Sequence, residues 1–274
     1  MTDTHTPHPP SVFAATGAAF GRILSVYRHS PGLLAITLAA PVGMMLLFGF
    51  VFGGALAGGA DATAYRSYLT PGVLVLVAAM GLAATASTAN ADLASGLTDR
   101  FRALPVPAIA VPAGLALAET LTGGVALLIM SGIGLLAGWR IDAGFGATAA
   151  AFALLVLFRF ALSWVGICLG TAIRDEQMLQ QVAPLIFGTI MFSNVFVPTA
   201  SMPGAVRAVA EWNPVSAVVA ALRALFGAPE VAAEGAAWPL REPVAASLVW
   251  IAVTLAVTIP AVLRHYGATR ARRR

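Results

Sequence analysis

Residues 67–91 read SYLTPGVLVLVAAMGLAATASTANA and carry no charged side chain. A helix needs about 20 largely apolar residues to cross the hydrocarbon core of a bilayer, and this run supplies them. Further charge-free intervals stand at 30–60, 177–206 and 243–263. Two more, at 108–139 and 143–173, are interrupted only by Glu119 and Arg159 respectively. The chain therefore reads as an all-α integral membrane protein with six transmembrane helices. Composition agrees: of 274 residues, 59% are hydrophobic and 10% charged, with mean hydropathy +0.85. Soluble domains carry about 25% charged residues, and a soluble chain of this length has no core large enough to hide so much apolar surface.

The 16 basic side chains are all arginine. They are spread along connections and the C-terminus rather than gathered on one folded face, which argues against a nucleic-acid partner. They report topology instead. Six spans place both termini on one side. On that side fall Arg22, Arg28, Arg100, Arg102, Arg174, Arg264, Arg270, Arg272, Arg273 and Arg274; the other holds Arg66, Arg140, Arg207, Arg223 and Arg241. Both termini are therefore expected in the cytoplasm and the protein in the plasma membrane, where the tail 265–274 suits an anionic inner leaflet.

The polar, proline-rich residues 1–10 lack the basic-then-apolar order of a signal peptide and read as a disordered cytoplasmic tail. Residues 11–29 place Phe13, Phe20, Ile23, Leu24 and Tyr27 at near-helical spacing, with Arg22, Ser25, Arg28 and His29 largely opposite. That pattern predicts an interfacial amphipathic helix. Residues 30–264 form the membrane domain. Its glycine pairs Gly49/Gly53, Gly134/Gly138 and Gly166/Gly170 match small-xxx-small helix packing. The lone cysteine, Cys168, lies in an apolar run and reads as a small core residue.

Between the second and third intervals stands DLASGLTDRFRALPVP, residues 92–107. Asp92 favours a helix N-terminus. Leu93, Leu97, Phe101 and Leu104 make an apolar stripe, with Asp99, Arg100 and Arg102 elsewhere. Pro105 and Pro107 stop the helix before the next span. This predicts a short amphipathic helix on the cytoplasmic face, either a solvated connector or a docking helix for a cytoplasmic partner.

Two regions resemble a known family. The first runs from Tyr65, Tyr68, Leu69, Pro71 and Gly72 through Asp92 and Gly96 to Asp99, Arg100, Phe101, Arg102, Leu104 and Pro105. The second, FVPTASMPGAVRAVAEWNPVSAVVAALRALF, carries Phe196, Val197, Pro198, Met202, Pro203, Glu211, Asn213, Pro214, Val215, Ala221, Leu222 and Arg223. Both are similar to the signature regions of type-2 ABC exporter permeases, in particular of the daunorubicin-resistance-type subfamily. One departure is the segment PAIAVPAGLALAE: it lacks the basic residues that usually follow the Leu-Pro, and Gly114 precedes Leu115 where the family shows Gly-Arg. Glu119 falls where the family often has an acid.

The resemblance implies two permease copies, this chain with itself or with a paralogue, working with two ATP-binding-cassette ATPase subunits. It implies that Asp92 to Pro105 dock on the ATPase, and that the cargo is a drug, lipid, polyketide or glycan-like compound. Arg174, Asp175 and Glu176 form a second cytoplasmic turn, read either as a subsidiary docking contact or as a solvated anchor. A P-loop ATPase needs a lysine at the phosphates, and the sequence contains none. ATP and magnesium are accordingly expected on the partner, and no cofactor, metal or catalytic group on this chain. His5, His8, His29 and His265 all lie outside the spans, which disfavours a membrane enzyme. A secondary transporter, with its usual internal repeats, and a non-catalytic scaffold are the alternatives.

Glu119 and Arg159 are charges inside spans, where they normally face protein or water. At about 1.5 Å per residue, Arg159 lies roughly 8–10 Å farther out than Glu119. Pairing through the long arginine side chain and a place on the cargo path are both open. On the far side, 198–243 contains two short apolar pieces broken at Asn213-Pro214, too short to span, with Trp212 and Trp238 suited to the interface. The resemblance implies re-entrant or interfacial helices there, with Pro198, Met202, Pro203, Glu211, Asn213, Pro214 and Arg223 in an outer gate.

Overall fold

The computed structural model describes residues 16–18, 20–22, 25, 29, 31–51, 62–95, 107–228 and 235–271. In chain order the helices are α1 (Pro31–Leu46), α2 (Ala62–Ala94), α3 (Ala110–Leu136), α4 (Phe145–Ala172), α5 (Glu176–Gln180), α6 (Val182–Met191), α7 (Gly204–Trp212), α8 (Pro214–Phe226), α9 (Trp238–Arg241) and α10 (Pro243–Ala271). A π-helical turn, Leu47–Val51, extends α1. No strand occurs among the described residues. This follows from the solvent: in hydrocarbon each backbone N–H and C=O must find its partner within the protein, and a helix supplies nearly all of them from its own segment.

Four segments are long and apolar enough to cross a membrane: Tyr65–Ala94, Ala110–Leu136, Phe145–Ala172 and Pro243–His265. The second, third, fourth and sixth predicted spans are thus continuous helices. The first and fifth differ. The helix expected within 30–60 runs unbroken from Pro31 through Val51, contains Pro41 and passes into π geometry at Leu47, and residues 52–61 lie outside the described residues. The span expected over 177–206 is divided between α5 and α6, and α6 ends at Met191. Ten residues make a helix about 15 Å long, half the thickness of the hydrocarbon core.

α2 is the central post. It packs most extensively on α4 and also touches α1, α3, α6 and α8. Val73, Leu74 and Val75 on α2, Leu155 on α4 and Leu222 on α8 are fully buried in one core. The α2–α4 seam is close because α4 offers glycine there. A Cβ on Gly166 would stand 2.7 Å from the Leu82 carbonyl oxygen, and one on Gly170 2.2 Å from that of Ala86. This is small-residue packing as the pattern predicted. Gly134 likewise faces the Thr70 methyl, at 2.8 Å from an added Cβ. Gly138 does something else: with φ +98° it ends α3 in the left-handed region. The outer faces of α3 and α10 expose Leu117, Leu121, Leu128, Val253 and Val257, as a lipid-facing surface requires.

Of the predicted N-terminal helix, residues 16–18, 20–22, 25 and 29 are described, and all are helical. Phe20 packs against the core formed by α2, α3, α4 and α10.

Candidate functional site

The break after α6 exposes a stretch of backbone that no helix satisfies, and side chains from elsewhere in the chain answer several of its carbonyls. The Asn213 amide donates to the Thr189 and Phe192 carbonyls, both at 2.8 Å. The Tyr68 hydroxyl donates to Asn194 O at 2.9 Å, and Tyr65 to Phe196 O at 3.2 Å. Arg223 Nη2 donates to Asn194 O at 2.9 Å and to Val195 O at 3.2 Å, while its Nε takes the Tyr68 carbonyl at 2.9 Å. The Arg223 guanidinium lies 3.4 Å from the centre of the Tyr68 ring. Asn194 is held from the other side, its N–H donating to the Ser216 hydroxyl at 3.1 Å and its amide to Ser216 O at 3.2 Å. Irregular backbone at membrane depth is tolerated when buried in protein in this way.

Local sequence places these donors. Asn213 caps α8, its side chain accepting from Val215 N, and Pro214 sits in the first turn, where a missing N–H costs nothing. Gly227, at φ +78°, ends α8, and Phe226 then packs edge-on against Trp139 at 5.0 Å. Pro71 lies inside α2, and its missing N–H frees the Ser67 carbonyl four residues earlier. The next carbonyl along, that of Tyr68, accepts from Arg223 Nε. Gly72 gives the strap room: a Cβ there would stand 2.8 Å from Val195 O.

The residues expected at an outer gate thus separate into three groups. Asn213, Pro214 and Arg223 belong to this knot. Glu211 is also buried, but it accepts from Arg207 Nε at 2.6 Å and from Ala237 N at 2.8 Å, tying α7 to the start of α9. Pro198, Met202 and Pro203 flank a single 3-10 turn, Thr199–Ser201, and are half-buried or exposed.

A second site lies between α2, α3 and α4. Arg159 Nη2 stands 3.3 Å from Glu119 Oε2 and 3.3 Å from Thr85 Oγ1, with the two charged side chains 3% and 1% exposed. The Thr85 hydroxyl is itself 3.3 Å from Glu119 Oε2. The expected separation along the helices is bridged because two glycines open a slot. A Cβ on Gly81 would meet Arg159 Cζ at 2.7 Å, and one on Gly123 would meet its Nε at 2.5 Å. Glu119 and Thr85 both lie about 14 Å from the helix ends that flank the 95–107 connection, so they receive the guanidinium at one depth.

At that end of the bundle Asp92 departs from its predicted role. It lies in the last turn of α2, not at the start of a new helix, and it is buried and paired with Arg22. A carboxylate is unfavourable at a helix C-terminus, and the arginine offsets it. Nearby, Asn90 donates to the carbonyls of Gly170 and Ile173, capping α4 at 3.3 and 2.7 Å. Gly96, Leu97, Asp99, Arg100, Phe101, Arg102, Leu104 and Pro105 lie outside the described residues. Arg174, Asp175 and Glu176 are exposed, and Asp175 caps α5 by accepting from Gln177 N at 2.8 Å. No cluster of potential metal ligands occurs among the described residues.

Sequence reasoning missed Gly81, Gly123, Thr85 and Ser216. For the glycines a signal existed: each stands four residues from a polar member of the charge site, one helical turn away.

The long apolar helices and the buried polar sites between them define an α-helical integral membrane protein. The ABC-2 type transporter family matches residues 15–226. The daunorubicin resistance ABC transporter permease protein DrrB1 of Streptomyces coeruleorubidus is 32% identical over 221 residues, covering 80% of this chain and 77% of that protein. The chain belongs to the ABC-2 type transporter family.

Proposed function

We propose that the chain is the membrane half of an ATP-driven exporter that moves an apolar or amphipathic compound outward, with both termini in the cytoplasm. It would work as a pair, with itself or a paralogue, beside a separate ATP-binding-cassette subunit that holds ATP and magnesium. The observation that carries this reading is the knot around Arg223. It joins the two stretches in which the chain resembles exporter permeases, Tyr65–Gly72 and 196–226, through buried hydrogen bonds. A further support is the absence of lysine from the 274 residues, which leaves no P-loop within them. The similar permease is named for daunorubicin resistance, so amphipathic, drug-like compounds are the cargo to try first.

The test is uptake into inside-out membrane vesicles containing this chain and a co-expressed ATP-binding-cassette subunit. Accumulation of a fluorescent anthracycline is expected with ATP and not with a non-hydrolysable analogue. Accumulation driven by a proton gradient without ATP, or ATP turnover by the purified chain alone, would overturn the proposal.

A further inference from the structure

α3 and α8 close their own ends, each passing into a left-handed glycine, Gly138 and Gly227. α4 does not. It runs into Ile173 with extended backbone, φ −92° and ψ 113°, and has no basic side chain in its last turn. The last carbonyls of a helix lack partners within it. For α4 a partner comes from another helix: Asn90 Nδ2 donates to Gly170 O at 3.3 Å and to Ile173 O at 2.7 Å. A carboxamide has two N–H donors, and both are engaged here. The turn that follows α4 is therefore placed by α2 and not by α4's own sequence.

The far side of that turn is fastened to the same helix. Asp175 caps α5 by accepting from Gln177 N and Met178 N, which leaves only Arg174 between the two caps. α5 rests on α2, where Leu179 is buried with Leu82 and Ala86. Ser95, whose N–H still donates to Ala91 O, stands about 7.5 Å along the axis from Asn90, and the connection to α3 begins there. The 174–176 turn and the 95–107 connection thus hang from about one and a half turns of α2. The opposite end of α2 holds the strap through Tyr65 and Tyr68. We propose that Asn90 is a positioning residue for ATP coupling. Its amide makes the turn after α4 move with the end of α2, so that a push on either connection reaches the strap as one displacement. This role rests on the ATP-driven reading given above.

The test compares the native chain with Asn90→Leu, which keeps the size of the side chain and removes both donors, and Asn90→Gln, which restores a carboxamide. Each is studied in vesicles with the ATP-binding-cassette subunit, and anthracycline uptake is measured beside ATP hydrolysis. Asn90→Leu is expected to lose uptake severalfold for each ATP hydrolysed while hydrolysis and co-purification persist, and Asn90→Gln to recover part of it. Equal uptake per ATP in Asn90→Leu and the native chain would overturn the proposal. So would uptake and hydrolysis falling in step, the mark of a chain that is only less well folded. The tie itself is read without ATP, on the purified chain with spin labels at Ala91→Cys and Arg174→Cys in a Cys168→Ser background; both labelled positions are exposed. Strong dipolar broadening is expected with Asn90. In Asn90→Leu the unbroadened fraction should rise about tenfold, the weight of two neutral hydrogen bonds on an equilibrium. Identical spectra would overturn the tie whatever the transport result. Altered spectra with no ATP-driven uptake by the native complex would instead overturn the exporter reading, and the coupling role with it.

Discussion

Arg159 Nη2 lies 3.3 Å from Glu119 Oε2, with the two side chains 3% and 1% exposed. Removing one member of a buried pair strands the other, at a cost of about 3–5 kcal/mol. Arg159→Leu and Glu119→Leu should each lower stability in detergent by an amount of this order. The double variant should lose less than the sum, because no charge is left behind. Additive losses in a thermal-unfolding cycle would show that the two residues act separately.

Gly170 and Gly124 test the helix seam. An alanine at 170 forces a Cβ to 2.2 Å from the Ala86 carbonyl, while one at 124 meets nothing within 4 Å. Gly170→Ala should cost about 1–3 kcal/mol, as overpacking does. Gly124→Ala should be neutral or slightly stabilising, by up to about 1 kcal/mol. Equal melting temperatures for the two variants would contradict the close α2–α4 approach.

Arg223 should matter more than Tyr68. Arg223→Leu deprives the Tyr68, Asn194 and Val195 carbonyls of its donors, at about 1–3 kcal/mol for each carbonyl left unsatisfied. Tyr68→Phe removes one neutral bond, near 1 kcal/mol. Arg223→Lys should rescue little, since an ammonium cannot reproduce the planar fork. Limited proteolysis of 192–199, together with melting curves, reads the order; equal effects for Arg223→Leu and Tyr68→Phe would refute it.

Phe101 tests the docking part of the proposed function. Apolar anchors at an interface centre often carry about 2 kcal/mol or more, whereas rim charges act on rate and orientation. Phe101→Ala should therefore reduce co-purification of the ATP-binding-cassette subunit more than Arg100→Ala does, without affecting membrane insertion. Unchanged assembly in a Phe101→Ala, Leu104→Ala double variant would move the docking surface to Arg174 and Glu176, which are exposed.

Membrane class, all-helical fold and the four long continuous spans were legible in the sequence because each depends only on local apolar content over about 20 residues. The two short helices before the last span were legible for the same reason, since Asn213-Pro214 interrupts a run with its own cap and start signal. The Gly166/Gly170 seam was legible as spacing. The reading of Asp92 as a helix start fails because the second helix continues through it to Ala94, and an acid near a helix end gives no local sign of which end it marks.

The fifth span shows what lay beyond reach. Its run of apolar residues satisfies any hydropathy rule, yet the helix stops at Met191. It can stop because Tyr65, Tyr68, Asn213 and Arg223 satisfy the carbonyls that follow, from as far as 131 residues away in the chain. The charge site has the same character. Glu119 and Arg159 stood out as costly residues from composition alone. Whether they meet depends on Gly81 on α2 and Gly123 on α3 leaving a slot for the guanidinium. Local patterning determined which segments enter the membrane, since transfer from water to hydrocarbon is close to additive along a segment. Tertiary structure decided where the backbone breaks and which charges pair, since both require donors and free volume brought from distant parts of the chain.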